Sequence, residues 1–422
     1  MKRYIYIILG IIVIAAIAIA IIFYLKNPSS PTSLFGFNIG GSLPQTGTQG
    51  SSTGQQSGAN SQGNNANGGA NSTSSNTAAQ GGLVQTFGIV ADGPVLDYFV
   101  DAQNNITAIK PDGTIITVSA GTSTTIGAAI INNIISAKFS YDGKKILVSS
   151  GDSTNPQTNI FDVASKSWIS APQGMQSPQW SPSNYQIAYL SQSASGMLSL
   201  STLDASNLKK VPVTLFSLHA TDLSLQWINK TQFVFTDKPT LNVVESMWIF
   251  DSQKNTLTPI MYETAGVEST WGNAASGTLG LVFQSTGKNS SLKLVTPTGT
   301  TYHALTLLTL PSKCAFSIAT STIPAATTSS KPTISSVSYL YCGIPADSGA
   351  FSSAQLPDDY NMMSLFTSDT ITRINVATGG EDVLWNDPTQ NIDATDLKFF
   401  NNTLFFVNRY DLKLYALTLQ SA

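Results

Sequence analysis

Charged side chains are scarce in this sequence. Asp, Glu, Lys and Arg make up 11% of its 422 residues, against about 25% in an ordinary soluble protein, and no run of like charge occurs. With 21 basic and 24 acidic residues the chain lacks the basic footprint that nucleic acid requires. Long-range steering of a charged partner is equally unsupported. Histidine is limited to His219 and His303 and cysteine to Cys314 and Cys342. No cluster at metal-ligand spacing and no supply for a His-based triad follows from so few residues, so no metal or cofactor is expected. Ser, Thr, Asn and Gln carry the polarity instead, which suits a β-rich protein outside the cytoplasm.

One apolar run is long. Tyr4 to Leu25 holds no charge and would make roughly 33 Å of helix at ~1.5 Å per residue, enough for a hydrocarbon core of ~30 Å. Tyr4, Tyr6, Phe23 and Tyr24 fall at its ends, where amphipathic rings favour the membrane interface. A cleaved signal peptide would have a shorter apolar core followed by small residues, whereas Phe23-Tyr24-Leu25-Lys26-Asn27-Pro28 follows here. The expectation is an uncleaved signal-anchor: residues 1–26 form a cytoplasmic tip and a single transmembrane helix. Lys2 and Arg3 keep the amino terminus in the cytoplasm and the rest lies outside, at the cell membrane. Residues 27–82, rich in Gly, Ser, Asn and Gln, cannot bury enough surface to offset their ordering entropy and read as a disordered linker. A Gly-x-Ser-x-Gly match at Gly50–Gly54 falls in that linker, with no strand before it or helix after it, so it cannot form a nucleophile elbow.

From residue 83 onward a motif recurs: an aromatic residue, a short polar turn, then an apolar strand. It is clearest in Phe139-Ser140-Tyr141-Asp142-Gly143-Lys144-Lys145-Ile146-Leu147-Val148 and in Trp180-Ser181-Pro182-Ser183-Asn184-Tyr185-Gln186-Ile187-Ala188-Tyr189-Leu190, and it blurs through Trp227–Phe235, Trp271–Phe283 and Phe399–Val407. A repeat near 45 residues made only of short strands marks an all-β propeller, each repeat being one four-stranded blade. Seven blades fit best, at 92–130, 131–173, 174–217, 218–261, 262–308, 309–390 and 391–420. The double length of the sixth leaves six or eight open. Its excess reads as inserted loops at 320–332 and 346–356. The last repeat holds only three strands, so Leu83–Val90 is expected to add the fourth and close the ring, hiding edges that would otherwise be sticky.

The aromatic-turn-strand pattern at Phe139–Val148 and Trp180–Leu190 resembles the repeats of TolB-like propellers, which are related to WD-repeat domains. That resemblance implies a platform for protein partners, or in some cases a substrate-gating domain of a peptidase. It is a resemblance of structural repeats and carries no catalytic residue.

Other candidates come from the residues themselves. An antiparallel pairing of the strands near Cys314 and Cys342 would set the two cysteines opposite each other, within disulfide reach. Asp358, Asp359 and Tyr360 form a candidate ligand loop, the carboxylates for Ca²⁺ or a sugar and the ring as a stacking face. Trp180, Trp227 and Trp271 share one repeat position and read as inter-blade core rather than a carbohydrate platform. Asp101, Asp152, Asp237 and Asp251 near strand ends would have to converge for a hydrolase. The functional expectation is a membrane-anchored extracytoplasmic propeller that binds a protein or envelope component and is not an enzyme. The alternative is a propeller hydrolase or glycan-binding protein acting on cell-envelope polymer.

Overall fold

The computed structural model describes residues 85–419, apart from 194, 288 and 324–332. Tyr4–Leu25, the 27–82 linker, Leu83 and Val84 lie outside the described residues. Among the described residues no helix is long and apolar enough to cross a membrane.

Seven four-stranded antiparallel sheets form the blades of a propeller. Blades 1 to 6 each take four consecutive strands and cover 97–127, 134–170, 176–218, 223–265, 268–305 and 314–385. Blade 7 takes three strands within 394–419 and borrows its outermost from the other end of the domain: Gln85–Ala91 (β1) pairs with Leu414–Leu419, from Gln85 opposite Leu419 to Ala91 opposite Leu414. The expected closure and blade count are both present.

Burial follows the position of each strand in its blade. The first strand lines the axis, where Lys138 of blade 2 donates to Gln179 of blade 3 at 2.8 Å and Gln226 of blade 4 donates to the Ser269 carbonyl of blade 5 at 3.0 Å. Second strands, such as Lys145–Ser150 and Thr403–Asn408, are buried on both faces between neighbouring blades. Their sequences accordingly read as unbroken apolar runs. Outermost strands are largely exposed, as in Thr122–Gly127. Leucine, isoleucine and phenylalanine from adjacent blades meet in shared clusters: Tyr98, Ile106 and Ile116 of blade 1 pack with Phe405, Val407 and Leu414 of blade 7.

Phe139, Trp180 and Trp227 end their first strands, while Trp271 and Phe399 lie within theirs. Trp180 is buried and its indole donates to the Lys138 carbonyl of the preceding blade at 2.9 Å, so the three tryptophans belong to the first strands rather than to an open platform. After Phe139, Ser140 and Asp142 hold the turn through a 2.9 Å hydrogen bond. Gly143 has φ +72°, and a Cβ there would lie 2.1 Å from the Phe99 ring of blade 1. Both facts require glycine.

Blade 6 departs from the expected loops. Its first two strands, Cys314–Ile323 and Thr333–Pro345, stay paired as far as Ile323 opposite Thr333, so 320–323 are strand rather than insertion. Alternating Thr, Ser and Ile favour that longer ladder. Cys314 faces Cys342 in it, and the two are joined, with Cα atoms 4.2 Å apart. The true insertion is 346–368, between the second and third strands, with two short helices: α1 (Ser348–Ser353), capped by Asp347, and α2 (Asp358–Asn361).

Candidate functional site

Lys313 is the charge on which the insertion is built. It ends a 3-10 turn, Pro311–Lys313, just before the first strand of blade 6, and its side chain is fully buried. Its ammonium reaches Asp369 at 2.7 Å and Asp393 at 2.5 Å, Thr367 at 3.0 Å and the Tyr360 hydroxyl at 3.3 Å. Arg409 completes the set: it donates to the other Asp393 oxygen at 3.0 Å and to the Tyr360 carbonyl at 2.7 Å, with its guanidinium 3.6 Å from the centre of the Tyr360 ring. Two cations and two carboxylates balance, and all four lie where the first strands of blades 6 and 7 begin. Burial opposes the ammonium, but Asp369 and Asp393 outweigh it and hold Lys313 above the ordinary lysine value. Burial likewise opposes the Asp393 carboxylate, and Lys313 and Arg409 overcome it and keep that group below the usual range.

Asp358, Asp359 and Tyr360 are spent inside this arrangement. Tyr360 is 3% exposed and its hydroxyl donates to Asp393 at 2.9 Å, so it offers no stacking face: the insertion folds its ring under Arg409 instead of out to solvent. Asp358 accepts from Leu241 N at 2.9 Å, Thr240 Oγ1 at 3.1 Å and Asn242 Nδ2 at 3.3 Å, all on blade 4. Asp359 caps the backbone of Gln355 at 2.8 Å. Two adjacent carboxylates thus point to different partners and do not converge as a cation site. Among the described residues no group of three or more His, Cys, Asp or Glu could hold a metal ion.

The insertion is tied beyond its own blade. Asp358 holds it to blade 4, Arg409 to blade 7, and at the start of blade 5 a Cβ on Gly266 would come within 3.0 Å of the Leu356 carbonyl. On its outward side Met362, Met363 and Phe366 are exposed beside Tyr410. The Phe366 and Tyr410 rings are 5.3 Å apart, and Met363 touches Arg409.

A second charged group sits on the axis between blades 7 and 1. Lys398 bridges Asp97 and Asp396, bonding to the former and lying 3.3 Å from the latter. Asp396 Oδ2 receives no hydrogen bond from any described residue, and its backbone has φ 49°. Burial drives the Asp396 carboxyl up to about 7; Lys398 only partly counters this, and Asp97 adds to it. Burial also pushes Glu245 up to about 7, although Thr240 and Val267 donate backbone N–H groups to it. A carboxyl whose folded pKa lies above its ordinary ~4 stabilises the fold while protonated; that contribution is complete at low pH and is lost as the pH rises through 7. Asp162, held down to about 2 chiefly by its hydrogen bond from Lys145, acts in the opposite sense but below this window. Melting temperature at fixed ionic strength is therefore expected to fall from pH 4.5 to 7.5, and Asp396→Asn to make the fall shallower. A flat or rising profile in the wild type contradicts the assignment.

The carboxylates that a hydrolase would need to converge, Asp101, Asp152, Asp237 and Asp251, do not meet. Asp101 and Asp251 cap turns at one end of their blades, and Asp152 caps a turn and Asp237 bonds Ser246 at the other. Lys313, Asp369, Asp393 and Arg409 escaped sequence reasoning altogether. Their signal was rarity: Lys313 directly precedes a strand and Asp393 another, in a chain that uses few charges.

No protein-family model matches this chain, and no curated protein matches its sequence. Solved structures similar to it include an oligogalacturonate lyase in complex with manganese, 8% identical with a TM-score of 0.50 over 82% of this chain and 96% of that one. The tricorn protease is 10% identical, TM-score 0.45, over 79% of this chain and 34% of its own, so the chain spans about a third of that protease. TolB from Acinetobacter baumannii is 11% identical, TM-score 0.32, over 76% and 64%. At such identities the likeness is one of fold, and the fold is a seven-bladed β-propeller.

Proposed function

We propose that this chain is an interaction module: a propeller carried outside the cytoplasm on an amino-terminal membrane anchor, binding a protein or envelope component without catalysing a reaction. The observation that supports this reading is the surface of the 346–368 insertion. Met362 and Met363, 61% and 38% exposed, lie with Phe366 at 38% and Tyr410 at 46%; Phe366 and Met363 cover the guanidinium of Arg409. Met and aromatic side chains are among the types enriched at the centres of protein interfaces, and a scaffold already tied to several blades loses little freedom on binding. The partner this fits is a protein with an apolar contact surface. Capture from native membranes with the full-length chain is expected to enrich one or more proteins that the double variant Phe366→Ser/Tyr410→Ser does not retain, with the melting temperature of the variant unchanged. Identical capture by both proteins overturns the assignment of this surface.

A hydrolase reading has one observation in its favour, the Asp97–Asp396 pair on the axis, where burial raises the Asp396 carboxyl, the direction a general acid requires. Lys398 lies between the two carboxylates and already serves as their counter-ion, which favours a structural seam.

A further inference from the structure

Blades 4 and 5 leave a cleft between them at the end of the ring opposite the insertion. In a four-stranded antiparallel blade the first and third turns share one end, while the second turn and the link to the next blade share the other. The insertion is a second turn. The cleft is made from the first turn of blade 4, with Asn229 and Gln232, and from the first and third turns of blade 5, with Ser276, Thr278 and Thr296. Leu279, 2% exposed, floors it, and Tyr302 of the outermost strand, 40% exposed, walls it. Its volume is about 300 Å³, at the small end of the ~300–1,000 Å³ typical of ligand sites.

The polar groups of the cleft are fixed in place. Asn229 accepts from Thr231 N at 3.1 Å and Gln232 N at 3.0 Å, and its amide donates to Gln232 Oε1 at 2.7 Å and across the seam to Thr278 Oγ1 at 3.4 Å. Gln232 in turn donates to Asp251 at 3.3 Å. Thr278 is thus used as an acceptor and keeps its hydroxyl proton. Ser276 and Tyr302 also line the cleft, while the Thr296 hydroxyl is engaged with Thr298 at 2.8 Å. No charged side chain lines it.

This combination selects a ligand class. An ion in the cleft would meet no counter-charge. An apolar group would cover the Ser276, Thr278 and Tyr302 hydroxyls and offer them no new partner. A molecule with both donors and acceptors on a compact ring, and with a C–H face to lay on Tyr302, satisfies all of them. We propose that the blade 4–5 cleft binds a neutral saccharide, with Thr278 and Ser276 bonding its hydroxyls and Tyr302 covering one ring face. This rests on different residues from the insertion surface, so either can fail without the other.

The test is titration of the purified full-length chain with glucose, N-acetylglucosamine and maltose by saturation-transfer NMR, with galacturonate and spermidine as charged controls. Saturable binding of at least one neutral sugar is expected. Tyr302→Ala and Thr278→Val should each weaken it about tenfold, the loss of roughly one good contact, at unchanged melting temperature. The proposal is overturned if no neutral sugar saturates, if both variants bind as the wild type does, or if galacturonate binds as tightly as the neutral sugars.

Discussion

A chain that begins at Asp92 is expected to aggregate, or to melt far below one that begins at Gly81. The shorter form lacks β1, whose backbone ladders onto Leu414–Leu419 and whose Phe87 ring stacks on Trp385 at 4.8 Å and on Tyr415 at 5.4 Å. Burying one large apolar side chain contributes ~1.5–3 kcal/mol, and each well-placed aromatic pair ~0.5–1.5 kcal/mol more. With the ladder bonds added, the loss takes up much of the ~5–15 kcal/mol that holds a typical domain together. The exposed edge of Leu414–Leu419 would also offer unpaired donors and acceptors to another copy. Thermal melts and size-exclusion chromatography of the two forms decide the matter: equal melting temperatures and two monomers would show that β1 is dispensable to the ring.

Lys313→Met should be the most damaging single substitution in the domain. It leaves Asp369 and Asp393 buried with Arg409 alone to balance them, and removing one partner of a buried ion pair costs about 3–5 kcal/mol. The added variant Lys313→Met/Asp369→Asn restores charge balance around Arg409 and Asp393 and is expected to recover part of that loss. Urea denaturation measures both. A Lys313→Met protein within about 1 kcal/mol of the wild type would mean that water reaches the cluster and screens it.

How far the sequence revealed this molecule depends on the range of the signal. Phe139 and Trp180 announce the ends of first strands because an aromatic is needed wherever one blade packs on the next, and Asp142-Gly143 announces a turn whose backbone few other residues can adopt. Such signals recur at a fixed period, so seven blades and the role of Leu83–Val90 could be counted. The pairing of Cys314 with Cys342 followed from antiparallel register. The insertion was legible only as an interruption. Nothing local in Asp358 points to Thr240 and Leu241, more than a hundred residues earlier, and nothing in Tyr360 foretells that it lies beneath Arg409. A rim loop and a buried brace have the same short-range composition, and only the partners distinguish them. The blade 4–5 cleft was hidden for a similar reason, since Asn229 and Thr278 are unremarkable turn residues until the seam brings them together.

The bracing of blades 4 to 7 by one insertion has a bearing on motion. In a ring whose blades touch only their neighbours, local opening can begin anywhere at similar free energy. Here four consecutive blades share a common tie through Asp358, Leu356, Lys313 and Arg409, whereas blades 1 to 3 rely on pairwise contacts such as Tyr185 to Asp142 and Lys138 to Gln179. Sub-global unfolding follows the least cross-linked unit. The propeller is therefore expected to behave mechanically as a stiff arc and a compliant one, joined on one side where Lys398 meets Asp97 and on the other where blade 3 meets blade 4. Fluctuations that open the ring should be concentrated in the compliant arc, leaving both the insertion surface and the blade 4–5 cleft on the half that keeps its shape.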